Sequence, residues 1–465
     1  MKRVLLLNPP GKRLYIRDYF CSKVSQADYL TQPVDFVMLS GILSGRFDVR
    51  LLDAMAGRLS AGSALSEIRE QDPFAVIGLF GAVSLPEDLA FAASVREACP
   101  GVKLIGIGDA FREGGEKYLG PGSPLDALLL DFTTPDILAY LDGDYGAVSN
   151  MLVRSPAGIL PPKRTPPGGV FEVPPPRHDL FTGYNYRHPF VRSRKFATVL
   201  TDYGCPYQCT FCVMSTLGFK SRTPDAVMAE LRGIKKLGIK EVLFHTQTFG
   251  ARRKDAAELC RRMRDEGLGL GWTCFSRADV LDAELLSLMK GAGCHTIIFG
   301  VESGSDEILR KYRKGYTREQ IVAAVDYCDG IGIETVGTFI LGLPEETHET
   351  MAQTLSLLGR IRLDYASINV AVPRMGTDLR REAVSLGIVD GDLAVMDQSG
   401  GDIAMPTKGL SKEEVLRYKK LAVRTFYLNP RYLLRRLSKI RSLYDFTRQF
   451  GQAAALVVNT WFRKQ

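Results

Sequence analysis

The residues with the most chemistry lie in one short run, Thr201-Asp-Tyr-Gly-Cys-Pro-Tyr-Gln-Cys-Thr-Phe-Cys212. It spaces Cys205, Cys209 and Cys212 as C-x-x-x-C-x-x-C. Thiolates are soft ligands, and three on one loop suit a soft metal or an iron–sulfur cluster. No fourth Cys or His lies nearby in sequence. A cubane cluster held by three cysteines leaves one iron without a protein ligand, open to a small molecule. The alternatives are a structural zinc site completed by a distant ligand and three unrelated core cysteines. The aromatic Phe211 before the last cysteine and the strand before the loop favour the cluster. That strand is Phe196-Ala-Thr-Val-Leu200, whose branched, alternating residues predict a buried extended segment. Gly204 and Pro206 then turn the chain tightly.

The elements that position this loop need a large scaffold. At 465 residues the chain has room for two or three domains. A hydrophobic content of 45% and a charged content of 24% are ordinary for a globular protein. The apolar run Val4–Leu7 is too short for a signal peptide, and no uninterrupted run approaches a membrane span. Six further cysteines are scattered without a disulfide rhythm, so a reducing cytoplasm is expected. The net charge of +8 is modest, and its distribution matters more than its sum.

Cys205-x-x-x-Cys209-x-Phe211-Cys212 resembles the cluster loop of the radical S-adenosylmethionine (SAM) enzymes. The resemblance implies a [4Fe-4S] cluster on the three cysteines, with the amino and carboxylate groups of SAM on the unique iron. It implies reductive cleavage of SAM to a 5′-deoxyadenosyl radical that abstracts hydrogen from a substrate. A flavodoxin- or ferredoxin-type donor would supply the electron.

Residues 1–143 alternate strand-like runs (Lys2–Leu7, Val49–Leu52, Ala75–Leu79, Val102–Ile107, Ala127–Leu130) with helical patterns (Val34–Leu43, Ala64–Glu70, Glu87–Cys99, Glu113–Tyr118, Pro135–Leu141). Such alternation predicts a doubly wound parallel sheet with helices on both faces. Ligands of such sheets bind outside the carboxyl ends of the strands. This half resembles the cobalamin-binding domain that precedes the radical domain in one large branch of the family, and Asn8-Pro9-Pro10 after the first strand is typical of it. The resemblance implies cobalamin as a third cofactor. The sequence departs from the pattern: no D-x-H-x-x-G offers a lower cobalt ligand. Gly106-Ile-Gly-Asp-Ala110 replaces the usual Gly-Gly-x-His, and Asp131-Phe-Thr-Thr134 replaces Gly-Glu-Gly-Glu. Two readings stand: a corrin site, or a degenerate domain kept for docking or substrate binding.

Residues 144–194 are rich in proline and read as a linker with little regular pattern. Residues 195–385 resume the alternation and predict a partial (β/α)6 barrel, open at its side for a bulky substrate. After the strand Glu241–Phe244, Thr246 and Gln247 stand where relatives often carry acidic residues; as neutral groups they would hold the amino group of SAM. His245 beside them is either a substrate-facing acid–base group or a buried, satisfied histidine. Arg277, at a strand end, needs an anion: the SAM carboxylate, Asp279 or Glu302. Gly300-Val-Glu-Ser-Gly-Ser305 resembles the family's fourth-strand SAM motif. Gly300 and Gly304 would admit a close ligand, and Glu302 and Ser303 would contact its amino or ribose groups. Gly337-x-Phe-Ile340-x-Gly342-x-x-Glu345 resembles the adenine-cradling pattern. Ile340 would pack on the base, and the backbone around Gly342 would pair with its edge. Glu345 and Glu346 read as helix N-terminal carboxylates. Lys314-Gly-Tyr-Thr317 reads as a helix cap.

Residues 386–465 read as a helical, basic C-terminal region. Ser411 and Glu414 form a capping box. Tyr427–Arg441 interleaves basic residues with Leu, Ile and Tyr, a pattern of helices that lie on anionic membranes or cap a barrel in solvent. Gln452–Val458 is apolar but too short to span. No DNA- or RNA-binding domain is visible, so no nucleic-acid partner is expected. The expectation is a cytoplasmic radical SAM enzyme, with peripheral contact at the inner membrane face through its basic tail. It acts on a small-molecule or lipid substrate, most specifically by cobalamin-assisted methylation of an unactivated carbon, with SAM serving twice. The alternative reaction is a cobalamin-independent radical cyclisation, carbon–carbon bond formation or rearrangement, on a lipid or polycyclic substrate. A non-enzymatic alternative is a cluster that only senses redox state or stabilises a binding scaffold.

Overall fold

Five short apolar runs form parallel strands: β1 (Arg3–Asn8), β2 (Asp48–Asp53), β3 (Ala75–Leu79), β4 (Lys103–Ile107) and β5 (Ala127–Leu129). Their order in the sheet is β2-β1-β3-β4-β5. Nearly every residue of β1 and β3 is buried, as expected when both faces of a parallel sheet are covered. The covering helices are α1 (Val34–Ser44), α2 (Ala61–Gln71), α3 (Leu85–Ala98) and α4 (Asp136–Asp142). This computed structural model describes residues 1–25, 29–156, 158–163, 168–391 and 405–438.

Two local expectations give way. The helix expected at Glu113–Tyr118 is a single 3-10 turn, Gly115–Leu119. Gly114 before it is left-handed (φ +61°), which stops a regular helix from starting upstream. The segment read as an irregular linker carries two strands, β6 (Met151–Ser155) and β7 (Gly158–Leu160). They extend the sheet antiparallel beyond β5, where Met151-Leu-Val153 is fully buried. Further along this segment, the Tyr184 hydroxyl donates to the Leu51 carbonyl, and the Tyr186 hydroxyl donates to Asp53 at the end of β2.

The chain divides into two compact units. The first holds Met1–Pro206, Val213–Cys274 and Gly291–Gly293; the second holds Tyr207–Cys212, Phe275–Lys290 and the chain from Cys294. In the first, β8 (Ala197–Val199), β9 (Glu241–Phe244) and β10 (Gly271–Ser276) run parallel in that order. Helices α5 (Pro224–Lys236) and α6 (Arg253–Asp265) connect them. Thr223 caps α5 ahead of Pro224, and Val227, Met228, Leu231 and Ile234 make its buried face. In the second, β11 (Cys294–Glu302), β12 (Glu334–Leu341) and β13 (Tyr365–Val370) are also parallel in chain order. They alternate with α7 (Ala283–Gly291), α8 (Asp306–Lys311), α9 (Arg318–Gly330), α10 (His348–Leu358) and α11 (Asp378–Ser385). The class is α/β: a doubly wound sheet, the strand–helix repeats of a partial (β/α)6 barrel, and a helical C-terminal part.

That last part begins with α12 (Lys412–Tyr427), capped reciprocally by Ser411 and Glu414, and continues in α13 (Pro430–Ser438). Arg436 of α13 turns inward: it is buried against Asp364 and Glu334 and covers the Tyr365 ring. Leu434 and Leu437 point outward, 70% and 62% exposed. Among the described residues no helix is long and apolar enough to cross a membrane. Residues 439–441 of the basic run and Gln452–Val458 lie outside the described residues.

Gly304 serves packing here. A Cβ on it would lie 2.6 Å from Thr354 Cα and 2.7 Å from the Gln353 carbonyl, so α10 sits directly on the end of β11. Gly304→Val should lower stability by about 1–3 kcal/mol through overpacking, read as a fall in the urea midpoint. An unchanged midpoint would contradict this helix–strand contact.

Candidate active site

A backbone clamp shapes the cysteine loop. Gly204 is left-handed (φ +79°), and a Cβ there would lie 1.7 Å from the Gly218 carbonyl oxygen. Only glycine admits that approach. The Cys205 amide donates to the same carbonyl at 3.1 Å. The Cys205 sulfur lies 3.6 Å from the Thr248 hydroxyl. Cys205 and Pro206 belong to the first unit, and Tyr207 to Cys212 to the second. There the Cys212 amide donates to the Cys209 carbonyl (3.0 Å), and the Thr210 amide donates to Tyr312 (3.2 Å). All nine cysteines are thiols. Among the described residues, no group of three or more His, Cys, Asp and Glu is gathered to hold a single metal ion.

In the second unit two buried cations organise the residues expected to meet SAM. Arg277 donates to both oxygens of Asp279 (2.9 and 2.8 Å) and to the Lys314 carbonyl (2.6 Å). Its third nitrogen lies 3.6 Å from Cys209 Sγ, and its guanidinium stacks 3.7 Å from the Tyr207 ring centre. Of the three anions considered for Arg277, the structure supplies Asp279. A cation against Cys209 favours its thiolate, the form that ligates iron.

The second cation, Lys314, was read from sequence as part of a cap. It is buried, 2.7 Å from Glu302, and it faces the rings of Phe211 and Tyr316. Burial alone would lower its pKa; the facing Glu302 raises it above the ordinary lysine value. Glu302 adopts a left-handed conformation (φ +63°) after a bulge in β11. Such strain in a non-glycine residue gathers at functional sites. A Cβ at Gly300 would meet both Glu302 and Lys314, at 2.4 and 2.7 Å, so this glycine makes room for the ion pair.

The other expected contacts hold protein partners in this structure. Ser303 is fully buried and shares a hydrogen bond with Thr354 (3.3 Å). The Gly342 amide donates to Glu346 at 2.6 Å, and the Leu343 amide donates to the same oxygen at 3.0 Å. Glu346 is therefore a cap on this turn, not on the helix that follows; Glu345 pairs with Lys408 and Lys311. Ile340 and Phe211 pack into one apolar cluster with Tyr312 and Leu343. In the first unit the Thr246 hydroxyl donates to Asp202 (2.9 Å), as does Thr201 (2.8 Å). Burial pushes the Asp202 carboxyl up to about 6. The acidic group of this edge is thus Asp202, beside Thr246. Gln247 is half-buried. His245 is buried, packs on Phe20, and its Nε2 lies 2.8 Å from Asp18.

Asp18 belongs to a loop that sequence reading passed over, residues 11–25 after β1. Its hairpin pairs Tyr15–Ile16 with Lys23–Val24. The sheet order reverses between β1 and β3, the switch point where such sheets take ligands. Arg17 fills it. Its side chain is fully buried and bonds to Asn8 (2.8 Å) and the Pro9 carbonyl (2.9 Å) after β1. On the β3 side it bonds to Ser84 (3.2 Å) and to both oxygens of Asp88 (3.1 and 2.6 Å). The available signal was a charged pair, Arg17-Asp18, inside an aromatic run on a ligand-binding edge. Cobalamin, which the resemblance implies for this edge, does not fit beside Arg17 as the crevice stands.

The strand–helix repeats, the three-cysteine loop and the Gly300–Ser305 turn define a radical SAM domain. Residues 199–358 match the family described as the radical SAM superfamily. An uncharacterized methyltransferase of Pyrococcus horikoshii is 28% identical over 429 residues, covering 87% of this chain and 89% of that protein. The cytidylyl-2-hydroxyethylphosphonate methyltransferase of Streptomyces wedmorensis is 28% identical over 216 residues, 44% of this chain and 40% of that protein. Among solved structures, the radical SAM methyltransferase TsrM of Kitasatospora setae, with cobalamin and a [4Fe-4S] cluster bound, superposes with a TM-score of 0.70 at 19% identity. That match covers 98% of this chain and 99% of TsrM. The cobalamin-dependent SAM radical enzyme OxsB, with aqua-cobalamin and SAM bound, gives 0.70 at 16% identity, over 99% of this chain and 72% of OxsB. These likenesses give the fold of the branch in which a cobalamin-type domain precedes the radical domain.

Glu346 yields a pH prediction. It is fully buried, one of its oxygens has no hydrogen-bond partner, and burial raises its pKa from 4.5 to about 7 against the two amides that lower it. The folded state thus holds the proton more tightly. Its contribution to stability is full below the unfolded value of 4.5 and is lost as the pH rises through about 7. Glu346→Gln should be flatter than the wild type over that window, with a difference of about 3 kcal/mol at most. Parallel stability–pH curves for the two proteins would contradict the assignment.

Proposed function

We propose that the protein cleaves SAM at a cluster held by Cys205, Cys209 and Cys212 and uses the resulting radical to methylate a carbon of a small-molecule or lipid substrate. The observation that carries this reading is the three-cysteine loop, clamped by Gly204, within a segment that matches the radical SAM superfamily. Three cysteine sulfurs and an adjacent guanidinium suit an anionic cluster that keeps one iron open. Bound there, a [4Fe-4S] cluster supplies the electron that splits SAM into methionine and a 5′-deoxyadenosyl radical. Arg277, fixed by Asp279, balances thiolate charge at Cys209. The Glu302–Lys314 pair presents a carboxylate and an ammonium at the end of β11, suited to the amino and carboxylate ends of SAM. Ile340 and the turn at Gly342 form the apolar side, suited to adenine. Thr246 and Gln247, at the end of β9, offer neutral polar contacts. Residues 1–143, with β6 and β7 added to their sheet, act as the accessory domain, the rest of 144–194 as a connecting segment, 195–385 as the radical domain and 386–465 as the C-terminal part.

Methylation is supported by the near full-length relative described as a methyltransferase. In the fold neighbours the chemistry named is cobalamin-dependent. A second reading is favoured by Arg17 in the crevice: radical cyclisation, carbon–carbon bond formation or rearrangement without cobalamin. Methylation releases S-adenosylhomocysteine as well as 5′-deoxyadenosine, and the second reading releases 5′-deoxyadenosine alone. A low-potential flavodoxin or ferredoxin would serve as donor. The outward leucines of α13 support peripheral contact with a cytoplasmic membrane face.

Replacing Cys205, Cys209 or Cys212 by Ala should lower 5′-deoxyadenosine formation more than about 100-fold, to background, with reduced, reconstituted protein. Undiminished formation would refute the cluster assignment. For the membrane contact, Leu434→Asp with Leu437→Asp should reduce recovery with anionic liposomes on flotation; equal recovery of variant and wild type would remove that role.

A further inference from the structure

The N-terminal fold implies a corrinoid, yet three features of its carboxyl edge are built from this chain's own side chains. The first is Arg17 at the switch point, fully buried and bonded to groups after both β1 and β3. The second lies in the two segments that depart from the glycine-rich pattern. Asp109 accepts from the Ser22 amide (2.7 Å) and the Ala82 amide (2.9 Å), so it ties the loop to the turn after β3. Asp131 and Thr133 hold Lys220, from the strand paired with Asp202–Gly204. Gly108 is no opening either, since a Cβ there would lie 2.1 Å from the Phe80 carbonyl. The third is aromatic. Tyr19 of the loop stacks on Tyr203 with ring centres 5.3 Å apart, and Phe132 packs edge-on to both; all three are buried.

We propose that loop 11–25 is the resident occupant of the switch-point crevice and that this domain takes no corrinoid. The loop joins two halves of the first unit. Arg17 closes the sheet edge, while Asp18, the next residue, reaches His245 at the end of β9. A nucleotide tail entering between β1 and β3 would have to expel Arg17, leaving Asp88 buried without its cation. It would also have to part the stack of Tyr19 on Tyr203. The glycine segments that would cradle such a tail carry Asp109 and Asp131 instead, each engaged in holding the loop or its neighbour. The inference rests on the proposed radical SAM chemistry and favours its second reading, radical cyclisation, carbon–carbon bond formation or rearrangement, over methylation.

The test uses full-length, anaerobically reconstituted protein incubated with hydroxocobalamin and then desalted. The expected result is no corrinoid absorbance in the protein fraction, and slow amide exchange across residues 12–25 that hydroxocobalamin leaves unchanged. Retention of about one corrinoid per chain, or faster exchange of that segment with hydroxocobalamin, would overturn the proposal. Arg17→Ala should raise exchange across 12–25 by roughly tenfold or more; unchanged exchange would show that Arg17 does not hold the loop and would also overturn it. Formation of 5′-deoxyadenosine by the same preparation, without corrinoid, reads the radical SAM assignment separately. Its absence would sink that assignment without touching the loop result.

Discussion

A buried cation must find anions or carbonyls at hydrogen-bond distance, because the cost of desolvating it is otherwise unmet. Three such cations, Arg17, Arg277 and Lys314, set the functional regions of this molecule. Arg17 joins the ends of β1 and β3. Arg277 fastens Asp279 and the Lys314 carbonyl and sits against Cys209. Lys314 draws Glu302 into a left-handed backbone conformation at the end of β11. Arg17 and Arg277 each reach a group distant in sequence, Asp88 and the Lys314 carbonyl, so each records the tertiary fold. The glycines follow from the same constraint: Gly300 is small because the Glu302–Lys314 pair occupies the space its side chain would need.

Much of the scaffold was legible in the sequence because it rests on local rules. Short continuous apolar runs placed β1 to β5 within a residue or two, and Thr317 and Ser411 marked the starts of α9 and α12. β6 and β7 were missed because proline-rich surroundings masked two short strands, of which β6 pairs with β5 and β7 with β6. The expected helix at Glu113 failed because Gly114 takes a left-handed turn.

The candidate site was legible in part, for a different reason. Cys205, Cys209 and Cys212 declare their chemistry by type and spacing. The partners of Arg277, Glu302 and Thr246 do not, since Asp279, Lys314 and Asp202 are chosen by the fold from several carboxylates and cations of equal standing. Glycines mislead most, because one residue serves both ligand approach and tight packing; Gly304 proves to be packed under α10. The loop carrying Arg17 and Asp18 has no periodicity to find it by. Its role follows only once the switch point of the sheet is known.

The loop from Cys205 to Cys212 is proposed to hold a cluster with one iron open to SAM. This is tested most directly by iron and sulfide content together with the electron paramagnetic resonance spectrum of the reduced, anaerobically reconstituted protein. About four irons and four sulfides per chain are expected, the stoichiometry of a cubane, with a cluster signal that changes when SAM is added. Iron-free protein carrying a single zinc, or a cluster signal indifferent to SAM, would contradict it.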